Sequence, residues 1–437
     1  MSQKKRLFLS LPLTIGFLLF SYWVTNLRFP ISGEKLLLTK IEKLHYFFWP
    51  RENNFIDSVL FINVTYDKEL RTIVDEDSIP LGKTHITDRH KLLRLLQYLQ
   101  EKDEYKYILL DVFFGNDVST EWDEELFATI ESMPRIVIPC HSDEKLADKR
   151  LMKKAGLADY LVTFSESDFV KYPYFCDTAQ SMPVKMYEDI TGRKIKKHGI
   201  FYTDGWHIVR SSIVLTFELQ ANKLYADDKD VIYADTKDKI WLSLGMDLLD
   251  DSIPEMDVMG DSLLYKQPDL TRNKYIVIGS FKGDDTHNTF LGDMPGSIIN
   301  FNAFISLLHN HHIVSVSLVI FLFFVFFFMS YLTLSRKKLQ DLLKELTEKS
   351  QNKRVRKCLH FFIWLCSWIG YSSLLSILCI TTYIALGEAY DIFITSTMFY
   401  LLSLSLARFN KIYKLIKKWY EEEDYAIVSG YLFFVYY

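Results

Sequence analysis

The sequence predicts an α/β extracytoplasmic domain, with a mixed, largely parallel sheet and flanking helices, carried by four transmembrane α-helices. Three observations lead there. Short apolar, β-branched runs alternate with amphipathic helical runs between residues 58 and 139. The stretch "IVSVSLVIFLFFVFFFMSYLTL", residues 313–334, carries no charge and is long enough to cross a bilayer core. Lys and Arg cluster before the first greasy segment, between the second and third and after the fourth, which orients the chain.

Composition bounds the function classes. The chain has 437 residues, 24% of them charged, with a net charge of −4. Neither the charge nor any long basic stripe outside the membrane flanks suggests nucleic acid as a partner. The middle is charged and the ends are apolar, as in a membrane protein with a large water-soluble part. Of the five cysteines, Cys140 and Cys176 fall in the soluble part, where a disulfide and two free thiols both fit.

The spans are expected as follows. Residues 1–25 form a cytoplasmic N-terminus and a first helix, "LFLSLPLTIGFLLFSYWVT" after Lys4, Lys5 and Arg6. Its bulky, aromatic far end lacks the small residues of a cleavage site, so it is read as an uncleaved anchor. Residues 313–334 form the second span, 335–359 a basic cytoplasmic loop, 360–408 a hairpin of spans three and four, and 409–437 a short cytoplasmic tail. Arg336, Lys337 and Lys338 open the basic loop, and Arg408, Lys411 and Lys414 follow the fourth span. The hairpin between spans three and four has no Lys or Arg, so both termini are expected in the cytoplasm and residues 26–312 outside it. The segment 335–359 also carries Leu339, Leu342, Leu343 and Leu346 at helical spacing, which fits a lipid- or partner-binding helix as well as a simple loop.

Within 26–312, "SVLFINVT" (58–65), "YILLDVFF" (107–114), "RIVIP" (135–139) and residues 275–280 read as buried strands. Thr87 and Asp88 open a helix whose leucines share a face, and residues 121–133 form a second helix with an acidic start that suits its dipole. A loop is expected between the first strand and the first helix. Residues 198–219 look like a strand pair turning at Asp204-Gly205, and 296–308 is a last helix that leads almost directly into span two.

The candidate ligand- or partner-binding residues are Asp111, on the second strand, and Asp284, Asp285, His287, Thr289 and Asp293, in the polar segment after the last strand. Carboxylates and an imidazole can hold a cation, but no metal-ligand spacing is present, and Asp and Thr also tie down loop amides and cap helices. No metal or other cofactor is expected, and no nucleophile–base pair is visible, so catalysis is not expected. His309, His311 and His312 read as a polar collar at the membrane surface, with metal binding or pH sensing as the other reading.

These pieces together resemble the CHASE2 domain, an extracytoplasmic sensory module of bacterial membrane proteins. The resemblance rests on "SVLFINVTYDKEL" with "ITDRHKLLRLLQYL", on "YKYILLDVFFGNDVSTEWDEELFATI", on "YIVIGSFKGDDTHNTFLGDMPGSIINFNAFISLL", and on the shorter "DGWHIVR". One span before the domain and three after it fit the same pattern. The resemblance implies an inner-membrane sensor with its large domain in the periplasm. Many members carry a cytoplasmic enzyme after the last span, whereas 30 residues follow Ala407 here, fewer than a catalytic domain needs. Signalling through a protein partner or a homo-oligomer is therefore expected, in response to a periplasmic ligand or protein. The alternative is a structural subunit of a bacterial envelope complex. The apolar end "AIVSGYLFFVYY" suggests burial against the spans or a partner, with a terminal strand or lipid contact as the other readings.

Overall fold

The computed structural model describes residues 3–27, 56–74, 79–159, 168–169, 171–176, 179–215, 219, 241–243, 268–281, 285–289, 292–349 and 352–365, with single positions 373, 377 and 401. The chain divides into two compact units, residues 26–314 and residues 1–25 with 315–437. The described α-helices are α1 (Gln3–Thr25), α2 (Arg89–Lys102), α3 (Asp123–Ser132), α4 (Met182–Thr191), α5 (Gly296–Leu308), α6 (Val316–Lys349) and α7 (Lys353–Leu365).

Unit 26–314 is built on a sheet of six strands: β1 (Val59–Asn63), β2 (Tyr107–Asp111), β3 (Ile136–Cys140), β4 (Ala155–Leu157), β5 (Trp241–Ser243) and β6 (Tyr275–Gly279). Their order is β5-β1-β6-β2-β3-β4, and every pair is parallel. β1 and β6 are buried along their whole length, which is why "VLFIN" and "YIVIG" read as unbroken apolar runs. Alternate residues feed two cores. Ile62, Leu110, Ile138 and Ile278 pack with the leucines of α2 and with α3, while Phe61, Leu109, Val137 and Val277 pack with α4 and α5. The steps β1 to β2 and β2 to β3 run the same way along the sheet, so right-handed crossovers put α2 and α3 on one face.

The local signals behave as their chemistry requires. Asp88 caps α2 by accepting from the Lys91 amide at 3.0 Å, and α2 ends on Asp103 in the left-handed conformation, φ 48°. α3 has no side-chain cap, and Asp123, Glu124 and Glu125 in its first turn face the helix dipole instead. α5 is buried on every side from Gly296 to Leu307. Its interior asparagine Asn302 is satisfied by the Leu219 amide and carbonyl, each at 2.9 Å. α5 approaches β6 so closely that a Cβ on Gly279 would lie 2.9 Å from the Cβ of Ser297. Gly279→Ala is therefore expected to destabilise this unit by about 1–3 kcal/mol, read from denaturant unfolding. An unchanged midpoint would mean that α5 is free to shift away.

Three expectations need correction. Residues 68–87 are not a loop: Lys68–Val74 pairs antiparallel with Pro80–Thr87. Most of the second strand is solvent-facing, so no apolar alternation announces it. The polar segment after β6 is a ladder, with Thr286–Thr289 antiparallel to Gly292–Pro295 and parallel to Asp168–Phe169. Asp111 ends β2 rather than sitting in mid-strand. The expected pair turning at Asp204-Gly205 is present as Phe201–Asp204 and His207–Val209, with Gly205 at φ 57°.

In the second unit α1 lies against α6, with Phe17 and Phe326 rings 6.3 Å apart and Arg6 Nη1 donating to Ser335 Oγ at 3.3 Å. Ser10, Thr14 and Ser21 line the buried stripe of α1, and small residues there let helices approach. Among the described residues two helices, Gln3–Thr25 and Val316–Ser335, are long and apolar enough to cross a membrane, where four were expected. Most of 366–437, including the fourth span and most of the third, lies outside the described residues. The second apolar helix begins at Val316 rather than Ile313, because Ile313 bridges to Val209 instead. The segment 335–359 is no simple loop, since α6 runs on to Lys349 and α7 starts at Lys353. Leu, Lys and Glu, all good helix formers, fill that extension.

Candidate functional site: a cleft at the carboxyl edge of the sheet

Parallel strands end together, so residues following different strands meet at one edge. Val64 after β1, Asp111 to Phe113 at the end of β2, His141 to Asp143 after β3 and Ser280 after β6 line a cleft of about 640 Å³. That is within the range of small-molecule sites. Lys68, His85 and Thr87 of the Lys68–Thr87 hairpin form another wall, and Asp285 and His287 come from the ladder after β6.

Asp111 is the chemically distinctive group. Its strand partner on β6 is Gly279, where a Cβ would lie 3.3 Å from the Cβ of Asp111. Asn300 of α5 donates to Asp111 Oδ2 at 3.3 Å, and Tyr172 donates to Asn300 Oδ1 at 2.6 Å. Burial first, and then the negative charge of Asp285, push the Asp111 carboxyl up to about 8, against the opposing effect of Asn300. Asp111 therefore holds its proton at neutral pH beside a second carboxyl. A bound cation can take the place of that proton.

The rest of the lining is ordered by its own bonds. His287 Nε2 lies 3.4 Å from Asp285 Oδ1. On the other wall His141 Nδ1 lies 2.7 Å from Asp159 Oδ1, and the Ser142 amide donates to Asp159 Oδ2 at 2.7 Å. Burial alone would raise the Asp159 carboxyl, but the hydrogen bonds from Ser142 and His141 outweigh it and hold it below its usual range. Arg89 reaches the cleft but is committed elsewhere. It is 3% exposed, pairs with Asp123 at 2.6 Å and lies over the Phe114 and Phe127 rings. Among the described residues no three imidazole, thiol or carboxyl groups are placed to hold a metal ion.

Of the residues singled out in the sequence, the cleft brings together Asp111, Asp285 and His287. Thr289 is buried next to Phe169 in the ladder, and Asp293 is exposed opposite Asn288, so neither lines the cleft. Period-2 alternation puts Asp293, which pairs with Asn288, on the face opposite His287, whereas Thr289 shares the His287 face but lies two residues farther along the strand, beside Phe169. Asp284 lies outside the described residues. Sequence reasoning missed Lys68, His85, His141 and Asp159. Only His141 had a usable signal, as the first polar residue beyond an apolar strand. Cys140 and Cys176 are not joined by a disulfide.

A second constellation sits where the chain leaves this unit. Four consecutive residues, 208–211, tie both passages toward the apolar helices. Ser211 Oγ donates to Asn26 Oδ1 at 3.0 Å, one residue beyond α1. The Val314 amide donates to Ile208 O at 2.9 Å, and the Arg210 amide to His312 O at 2.8 Å, just before α6. His312 is not part of an exposed collar. It is fully buried, with Nε2 3.5 Å from Asp204 Oδ2 and its ring edge-on to Tyr187. Tyr187 donates to the same Asp204 oxygen at 2.8 Å. Burial pushes His312 down to about 4, and the pull of Asp204 only partly offsets it. His309 and His311 do remain at the surface.

No curated protein and no solved structure matches the chain. The family described as "CHASE2 domain" matches residues 44–348, well over half of it. That match takes in the six-stranded sheet, the cleft at its carboxyl edge and α5, and the chain belongs to the CHASE2 family of sensory domains.

Proposed function

We propose that residues 26–312 form an extracytoplasmic sensory domain that binds a small cationic ligand in the carboxyl-edge cleft. Occupancy is passed along α5 toward the membrane segment that follows it. The observation that carries this reading is the bond from Asn300 of α5 to Asp111 on the cleft floor. A ligand cation displaces the Asp111 proton, and the ionised carboxylate then accepts more strongly from Asn300. That change favours one position of α5 over another, which is what a ligand must do to shift an equilibrium. The domain acts by binding rather than catalysis, and its output passes to a partner protein or a second copy of the chain.

In this reading the chain has four spans in a bacterial inner membrane, both termini in the cytoplasm and the large domain in the periplasm. The Arg6–Ser335 bond supports it, since it sets Lys4 and Lys5 at the same end of the helix pair as Arg336 to Lys338.

The test is a thermal-shift series on the full-length protein in detergent, using diamines, polyamines and cationic amino acids, with neutral and anionic compounds as controls. At least one cation is expected to raise Tm, by an amount equivalent to about 2.7 kcal/mol at a hundredfold excess over Kd. The shift should vanish in Asp285→Asn and Asp111→Asn. Calorimetry in buffers of different ionisation enthalpy should show up to about one proton released per ligand bound. A panel in which no cation shifts Tm, or only anions do, would overturn the assignment.

A further inference from the structure

We propose that the three-stranded antiparallel meander Ile195–Val209, whose last two strands form the hairpin with Trp206 at its tip, is a lipid-surface contact, with its outward face against anionic phospholipid headgroups and Trp206 at the boundary of water and acyl chains. The register fixes which residues share that face. Lys196 pairs with Thr203 and Thr203 with Ile208, so the three lie side by side. The opposite face turns inward, where Tyr202 stacks on Phe175 and Val209 is buried. On the outward side Arg193, Lys194, Lys196 and His198 line a shallow groove of about 660 Å³ that ends at Trp206.

The groove's charge is mainly positive. Its single carboxylate is Asp204, 3% exposed and engaged by Tyr187. Trp206 at the turn is fully exposed, and Ile200 and Ile208 are more than 40% exposed. A large aromatic left in water beside a basic rail is an unfavourable surface for a solvated loop. It is the composition of a membrane-interface contact, where an amphipathic ring sits at headgroup level and cations face phosphates.

Chain geometry favours lipid over a soluble partner. Ile208 O is bonded to the Val314 amide, and α6, the apolar helix, starts at Val316. Two residues reach at most about 7 Å, and Trp206 is two residues from Ile208. The hairpin tip is thus held within a few residues' reach of the point where the chain becomes apolar enough for a bilayer. The Asn26–Ser211 bond ties the other chain passage to the same strand end.

The test uses full-length protein in nanodiscs of phosphatidylcholine and phosphatidylglycerol, with and without bromine on the acyl chains. The chain has 8 tryptophans, so the emission of Trp206 is taken as the parent spectrum minus that of Trp206→Phe. The expected difference emission is blue-shifted from a water-exposed indole and is quenched at least twofold by the brominated lipid. Replacing phosphatidylglycerol with phosphatidylcholine, or making the double change Lys194→Gln and Lys196→Gln, should remove most of that quenching. A water-like difference emission that bromine leaves untouched overturns the proposal. Equal quenching in both lipid compositions overturns its headgroup assignment. Trp206 is fully exposed, so Trp206→Phe leaves the core untouched, and circular dichroism of the variant checks its fold.

Discussion

Asp111→Asn raises the apparent Tm of the protein at pH 8 and leaves it close to the parent's at pH 4. The parent carboxyl, near 3.8 in an unfolded chain, is pushed up to about 8 in the folded domain. Between those values the folded state holds a proton that the unfolded state has released, so stability falls as pH rises through the window. The contribution is fully present below the unfolded value and lost once pH passes the folded one. Asparagine matches the neutral acid in shape and does not titrate, so the variant escapes the loss. The difference at pH 8 is on the order of a few kcal/mol, or roughly 10 °C in Tm. Its carbonyl can still accept from Asn300, which keeps the comparison clean. Melting curves of parent and variant from pH 4 to 9 check it. Parallel curves would mean that Asp111 is not held neutral.

His312→Phe has the opposite signature. His312 is depressed from 6.5 to about 4 in the folded domain, so the unfolded chain takes up a proton first as pH falls. Its contribution is present above 6.5 and lost as pH drops toward 4, a change of about 3 kcal/mol. Phenylalanine keeps the ring against Tyr187 and leaves Asp204 its bond from Tyr187. His312→Phe should therefore lose the fall in stability that the histidine contributes below pH 6.5, at little cost at pH 7.5. Between pH 4 and 6.5 the two groups act in opposite directions, and the parent should look nearly indifferent to pH there. Each single variant unmasks the other group. Asp111→Asn should become more stable as pH rises through that range, and His312→Phe less stable. Two variants with the same slope would overturn at least one of the two assignments.

Such opposed titrations matter because the groups sit at the two ends of the proposed path. Asp111 floors the cleft and bonds Asn300 of α5, while His312 lies between α5 and α6 in the chain. Both depend on partners that are distant in sequence. Asp204, the neighbour of His312, comes from the hairpin tip, and Tyr172, which fixes Asn300, comes from a short strand in the middle of the chain.

How much was legible differs by element. The strands at 59–63, 107–111, 136–140 and 275–279, and α2 with its Asp88 cap, follow from apolar runs, helical spacing and a capping side chain. These are local properties of the chain. The Lys68–Thr87 hairpin was hidden because a solvent-facing ribbon needs no apolar alternation. The ladder at 286–295 was hidden because its polar residues read equally well as a turn.

The sequence by itself determined the α/β class, the apolar helices and four of the six sheet strands, because periods of two and of 3.6 and the length of a greasy run survive without neighbours. It also marked Asp111, Asp285 and His287 as chemically interesting. Only the tertiary structure decided that these three share a cleft with His141 and Lys68 while Thr289 and Asp293 stand apart, because parallel register gathers strand ends, the ladder turns Asp293 to its other face, and packing buries Thr289. It alone turned His312 from a surface histidine into a buried one, since burial is a property of what packs around a residue and not of the residue itself.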